Sequence, residues 1–297
     1  MSSLMSSKGN RRTLYCYILP GFILFCIANM IPIVVCLVIS LTSWRGGNTF
    51  NFVGLENYLI LLKDENFWFS FWNNIQLIIY CIIFQIGIAF ILSILYSSKV
   101  VIMKELHRRV IFLPVILAPI AVGMIWQLIY RSDIGIIASV LTKIGAEGLI
   151  LKWLDSPVLV IPAITITLIW QYAGQFVIIL MAGITNINTS VLEAAEIDGA
   201  SPFQKAVHIT FPLLRPAVYV CMLLCISGCM KIFDIIFIMS GGGPGKASMV
   251  TSLYAYDMAF KSQKLGYSST VAIGIIVLSL AMIQLIKIPT KGGQIND

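Results

Sequence analysis

The sequence predicts an all-α integral membrane protein with a single domain over 1–297, and three observations predict it. The chain is 59% hydrophobic and only 11% charged over 297 residues, with a mean hydropathy of +0.93. A soluble domain so composed would expose apolar patches large enough to aggregate. Apolar stretches of about 20 residues, the length a helix needs to cross the hydrocarbon core, recur along the whole chain. They are continuous rather than alternating, which excludes the strands of a membrane barrel.

Six spans are expected, at approximately 15–41, 69–95, 110–130, 158–181, 217–239 and 269–288. The first follows Lys8, Arg11 and Arg12 and imitates a signal peptide. Its apolar run of about 27 residues exceeds the roughly 7 to 15 of a cleavable segment, so it is expected to remain a helix. Orientation follows from the basic residues. With the N-terminus inside, eleven lie on the cytoplasmic side (Lys8, Arg11, Arg12, Lys99, Lys104, Arg108, Arg109, Lys205, Arg215, Lys287, Lys291). Eight lie outside (Arg45, Lys63, Arg131, Lys143, Lys152, Lys246, Lys261, Lys264). The cytoplasmic ones crowd against span ends, where the bias acts most strongly. Both termini are then cytoplasmic, and the net charge of +7 needs no nucleic-acid partner.

All seven cysteines fall in expected spans, so no extracellular disulfide framework is available. Cys221, Cys225 and Cys229 repeat every four residues, one stripe on one helix. Small residues in a stripe let helices approach closely, and this is preferred to a metal or redox role. The two histidines, His107 and His208, have no ligand cluster around them, and no metal is expected. The segment "SGGGPGKAS", 240–248, imitates a phosphate-binding loop. A Walker pattern needs Gly six residues before the Lys and Ser or Thr after it, where this chain has Ser240 and Ala247. It also follows a span rather than a strand, so it reads as a Gly-rich turn.

Between the fourth and fifth spans lies "NTSVLEAAEIDGASPFQKAVHITFPLLRP", 188–216, too polar to enter lipid. Ser190 with Glu193 and Ser201 with Gln204 each have capping-box spacing, and Pro202 suits the first helical position. Gly199 breaks the chain between the two short helices, and Pro212 and Pro216 punctuate the entry to the next span. The exposed face offers Glu193, Glu196 and Asp198, flanked by Ala194, Ala195 and Ala200. Small residues admit a close partner, and acids give it something basic to hold. Residue by residue, the simpler reading is preferred: Glu193 caps its own helix and Asp198 solvates the turn.

Taken together, "EAAEIDGAS" followed by "ITFPLLRP" resembles the signature of the membrane subunits of binding-protein-dependent ABC importers. "FVGLENYLILLKDENFW", "IFLPVILAPIAVGMIWQLIY" and "IFDIIFIMSGGGPG" are similar to the carbohydrate-uptake branch of maltose, glycerol phosphate and oligosaccharide permeases, the last to its maltose-permease-like member. Ala206 and Pro202 depart from the family's more usual aromatic and polar residues. The resemblance implies a type I ABC importer permease fold in a bacterial cytoplasmic membrane, with the 186–216 loop docked on a separate ATPase. It implies as partners a second homologous permease, two ATPase subunits that carry the ATP and Mg, and an extracytoplasmic solute-binding protein. The chain itself would perform no bond chemistry and bind no cofactor.

A sugar pathway needs rings to stack on and amides or hydroxyls to hydrogen-bond. The fourth span offers Trp170, Gln171, Tyr172 and Gln175, either as pathway or as an interhelical hydrogen-bond cluster. The fifth offers Cys225, Gly228, Cys229, Lys231 and Asp234. Lys231 and Asp234, three apart, are expected on neighbouring faces of one helix, where they either pair or face the pathway. The alternative of another class is an ion-coupled secondary transporter, whose mark would be a coupling acid at an interrupted helix.

Overall fold

The computed structural model describes residues 8–48, 50–97 and 101–290, with side chains over 15–286. Lys99 and Lys291 lie outside the described residues, as do the side chains of Lys8, Arg11, Arg12 and Lys287. The described residues are helical apart from turns and one isolated bridge, Thr42 with Phe52. Among the described residues, four helices are long and apolar enough to cross a membrane: span 1, Tyr15–Ser40; span 2, Glu65–Ser97; span 4, Val160–Thr185; and span 6, Leu265–Ile286. Two bent pairs bring the number to six. Span 3 is Lys104–Ile116 with Pro119–Tyr130, turned by 99°, and span 5 is Arg215–Met230, entered from Pro202–Leu213 at 71°.

Contacts divide the chain into two compact units. The first holds Met1–Asp64 with Ala255–Gly274. Within it span 1 buries none of its most apolar stretch, so that surface is left for lipid or another subunit. Its last carbonyls are answered from outside the helix: Asn57 Nδ2 donates to the carbonyls of Ser40 and Thr42 at 2.8 Å each, and Thr270 Oγ1 donates to Ser40 at 3.1 Å. Tyr267 donates its hydroxyl to Asp64.

The second unit holds Glu65–Tyr254 with Ile275–Asp297, and span 4 is its core. Most of the apolar stretch of span 4 is buried, with Ile164, Leu168, Val177 and Leu180 among the enclosed side chains. Gly174 lies against the first half of span 3 so closely that a Cβ there would stand 2.2 Å from the Ile111 carbonyl oxygen.

Two expected spans are corrected. The 110–130 stretch is not one straight helix: Leu117 and Ala118 are extended, because a residue before proline is pushed out of the helical region and Pro119 has no N–H to donate. The 217–239 stretch ends as a helix at Met230, and a separate short helix, Asp234–Met239, follows. Broken helices expose carbonyls that lipid cannot satisfy, so the protein must do so. At the first break Gln171 Nε2, fully buried on span 4, donates to the Leu117 carbonyl at 3.2 Å. At the second, Asn74 Nδ2 of span 2 donates to Cys229 at 2.7 Å, and the Ser252 hydroxyl donates to Ile232.

Candidate functional site

Three places follow from this framework, all in the second unit: the 186–216 loop, a cavity beside span 4, and the Gly-rich 240–248 loop.

The 186–216 loop contains the two expected helices, but its first cap differs from expectation. Helix Thr189–Ile197 is capped by Asn188, whose Oδ1 accepts from the Ser190 N–H at 3.1 Å. Asn caps as well as Ser and stands two residues earlier, so no capping box forms at Ser190 and Glu193. The second box is present: Gln204 N–H donates to Ser201 Oγ, Ser201 N–H donates to Gln204 Oε1, and Pro202 takes the first helical position. Gly199 joins the helices with φ +78°. Its N–H reaches the Glu196 carbonyl and the Ala200 N–H reaches Ala195, the paired bonds of a Schellman turn.

This arrangement distributes the acids unequally. Glu196 is held by Lys205 of the second helix. Glu193 and Asp198 are exposed and form no ion pair among the described residues. Ala194 and Gly199 are exposed beside them and Ala200 is half-buried, but Ala195 is buried and belongs to the loop's own packing rather than to its outer face. Two residues missed at the sequence level stand out: Ile197 is 86% exposed and Phe203 74%. Their signal was available, since large apolar side chains in a loop too polar for lipid have no bilayer to explain them.

The cavity encloses ≈ 480 Å³ between spans 2, 4 and 5. Tyr172, Gln175, Cys225, Gly228, Cys229, Lys231 and Asp234 line it as expected, joined by Gln85 and Cys81 of span 2. Trp170 and Gln171 do not. Trp170 packs edge-on against Trp126 at 5.7 Å between centroids, and Gln171 is spent on the break in span 3. Lys231 and Asp234 are not neighbours on one helix: Lys231 closes span 5, and Asp234 opens the next helix, where its charge suits the helix N-terminus. Among the described residues they form no ion pair, and both charges stay exposed at the cavity wall. Such a wall, with a phenol, two amides, an ammonium and a carboxylate, can hold a polar solute by hydrogen bonds.

The 240–248 loop turns inward on itself. Ser240 and Ser248 hydroxyls lie 2.7 Å apart, and Ser248 Oγ donates to the Gly243 carbonyl at 2.6 Å. Lys246 Nζ donates to Asn66 Oδ1 at 2.7 Å.

Residues 85–288 match the family described as the binding-protein-dependent transport system inner membrane component. The chain is 29% identical over 270 residues to the probable ABC transporter permease protein YurN of Bacillus subtilis strain 168, covering 90% of this chain and 92% of that protein. It is 30% identical over 238 residues, 79% of each, to the trehalose/maltose transport system permease protein MalF of Thermococcus litoralis. In fold it resembles, with a TM-score of 0.79 at 20% identity over 92% of each chain, a chain in the crystal structure of a bacterial alginate ABC transporter in complex with an alginate pentasaccharide-bound periplasmic protein.

Proposed function

The chain belongs to the family of binding-protein-dependent transport system inner membrane components, and from that premise we propose that it carries a sugar or oligosaccharide inward through the cavity at Tyr172, Gln175, Lys231 and Asp234. It is a permease subunit of an ABC importer and a multi-pass membrane protein, and in the proposed reading it carries out no reaction of its own. An ion-coupled transporter is not supported by any of the relatives. In the proposed assembly the chain pairs with a second permease, receives solute from an extracytoplasmic binding protein, and has both termini in the cytoplasm. ATP and Mg bind only to two partner ATPase subunits. As those subunits close, the 186–216 loop conveys their motion to spans 4 and 5, and the cavity opens alternately to each side.

The carrying observation is the loop's division of charge. A Schellman turn and a capping box fix both helices, an internal ion pair uses Glu196, and Glu193 and Asp198 remain beside exposed Ile197 and Phe203. Acids next to apolar anchors fit a partner surface with a basic group and a pocket.

The test is to reconstitute the chain with its permease, ATPase and binding-protein partners in vesicles and follow uptake of labelled oligosaccharides. Tyr172→Phe and Gln175→Ala are expected to lower uptake while the complex assembles and ATP hydrolysis remains stimulated. Parent uptake by both would remove the cavity from the pathway. Saturable nucleotide binding by the isolated chain would contradict the assignment of ATP to the partners.

A further inference from the structure

Cys81, Cys225 and Cys229 are more than a packing stripe. Cys225 and Cys229 stand one turn apart on span 5, and Cys81 opens the π-helical segment Cys81–Ile86 of span 2, 144 residues away in sequence from Cys225. All three are buried, all three border the cavity, and their sulfurs lie within 4.8 Å of one another. Three sulfurs around one ion at metal–sulfur bonds of about 2.3 Å require mutual distances of about 4.0 Å, so the ligands need contract by less than about 1 Å. The two helices are already held in register here by the bond from Asn74 of span 2 to the Cys229 carbonyl.

We propose that these three thiols form a binding site for a soft monovalent cation, copper(I), on the wall of the cavity. Ligand type selects the ion: sulfur-only donors favour copper(I) over hard cations. Ligand number selects it too, because zinc closes a tetrahedron and no histidine or carboxylate joins this group among the described residues. Each sulfur binds as a thiolate, so coordination by all three displaces three thiol protons, which leave through the cavity. The occupied site ties span 2 to span 5. Resting on the importer reading above, it follows that an occupied site slows transport by holding two walls of the cavity together.

The experiment uses the assembled complex, kept anaerobic and reduced, titrated with copper(I) against a chromogenic chelator. One copper per chain should resist the competitor, and X-ray absorption should show three sulfur neighbours. A variant with Ser at Cys16, Cys26, Cys36 and Cys221 should retain that copper, whereas Cys81→Ser and Cys229→Ser should each lose it. The three-sulfur signature of the parent needs no variant to fold. Two sulfur neighbours, nitrogen or oxygen ligands, displacement by stoichiometric zinc, or equal retention by the triple Cys81, Cys225 and Cys229 serine variant would overturn the proposal. Copper should also reduce ATPase stimulation in the parent, reversibly on chelation; copper binding is read directly, so its failure is distinct from failure of the importer reading.

Discussion

The two polar loops beside span 5 use their polar groups in opposite ways. The 240–248 loop spends them internally: Ser240 meets Ser248, Lys246 meets Asn66, and Asn73 of span 2 donates to the Met249 carbonyl just beyond it at 2.8 Å. The 186–216 loop satisfies its backbone with equal care and yet leaves Glu193 and Asp198 exposed and without an ion pair among the described residues. Order alone therefore does not mark a docking surface. What sets apart the loop proposed to dock a partner is order combined with charges and apolar side chains that the fold itself leaves unused.

Glu193→Ala should have the largest effect if that distinction is right. It removes no side-chain bond seen among the described residues, so the isolated subunit should melt like the parent. Removing one partner of a desolvated charge pair costs about 2 to 5 kcal/mol, and co-purification of the ATPase subunits should fall accordingly. Full association together with full stimulation by the loaded binding protein would break the comparison.

Asn74→Ala is next, and it acts on the inward-turned side. Asn74 donates to Cys229 and accepts from both the Thr251 N–H at 2.9 Å and the Thr251 hydroxyl at 3.0 Å. Each buried group left unsatisfied costs about 1 to 3 kcal/mol, so thermal unfolding of the complex should shift down with ATPase recruitment intact. Unchanged melting would mean that water or lipid headgroups replace the amide.

Gly199→Val should come third, because its cost is conformational. A Cβ at Gly199 meets nothing within 4 Å, but φ +78° is a left-handed conformation worth about 1 to 2 kcal/mol to an ordinary residue. Gly199→Asn, better tolerated there, should recover most of the ATPase coupling lost by Val. Equal loss in both would point to contact with a partner instead of backbone conformation. Lys246→Ala is expected to do least, well under about 1 kcal/mol, since it breaks one exposed bond. Uptake and melting should both remain near the parent.

Much of this was legible in the sequence because the responsible interactions are local. Six apolar segments, the Ser201 and Gln204 box and the break at Gly199 all depend on residues within one helix or turn of each other. The departures depend on distant partners or on a nearer competitor. Nothing at 231–233 signals a break, for there is no Gly or Pro, and its freed carbonyls are answered by Asn74 and Ser252. Asn188 displaced Ser190 as a cap because the capping-box pattern names Ser and ignores an Asn two residues earlier. In the cavity, residue type and position along span 4 grouped Trp170 with Tyr172, but only packing against Trp126 decides which side of span 4 each ring serves. Cys81 could not be joined to Cys225 and Cys229 by any spacing rule.

The crossing at Gly174 has a mechanical consequence. Where two backbones meet with no side chain between them the helices are at their closest, so a tilt of span 4 pivots about that point while enclosed side chains farther along it, such as Val177 and Leu180, repack. The contact is then a fulcrum. From Gly174 to Thr185, where the 186–216 loop begins, the arm is about 16 Å at 1.5 Å per residue, and a tilt of about 10° swings its end by about 3 Å. Tyr172, two residues from the fulcrum, moves by only about 0.5 Å in the same tilt. A pull at one end of span 4 is thus delivered almost entirely to its extremities, while the side chains that face the cavity turn nearly in place.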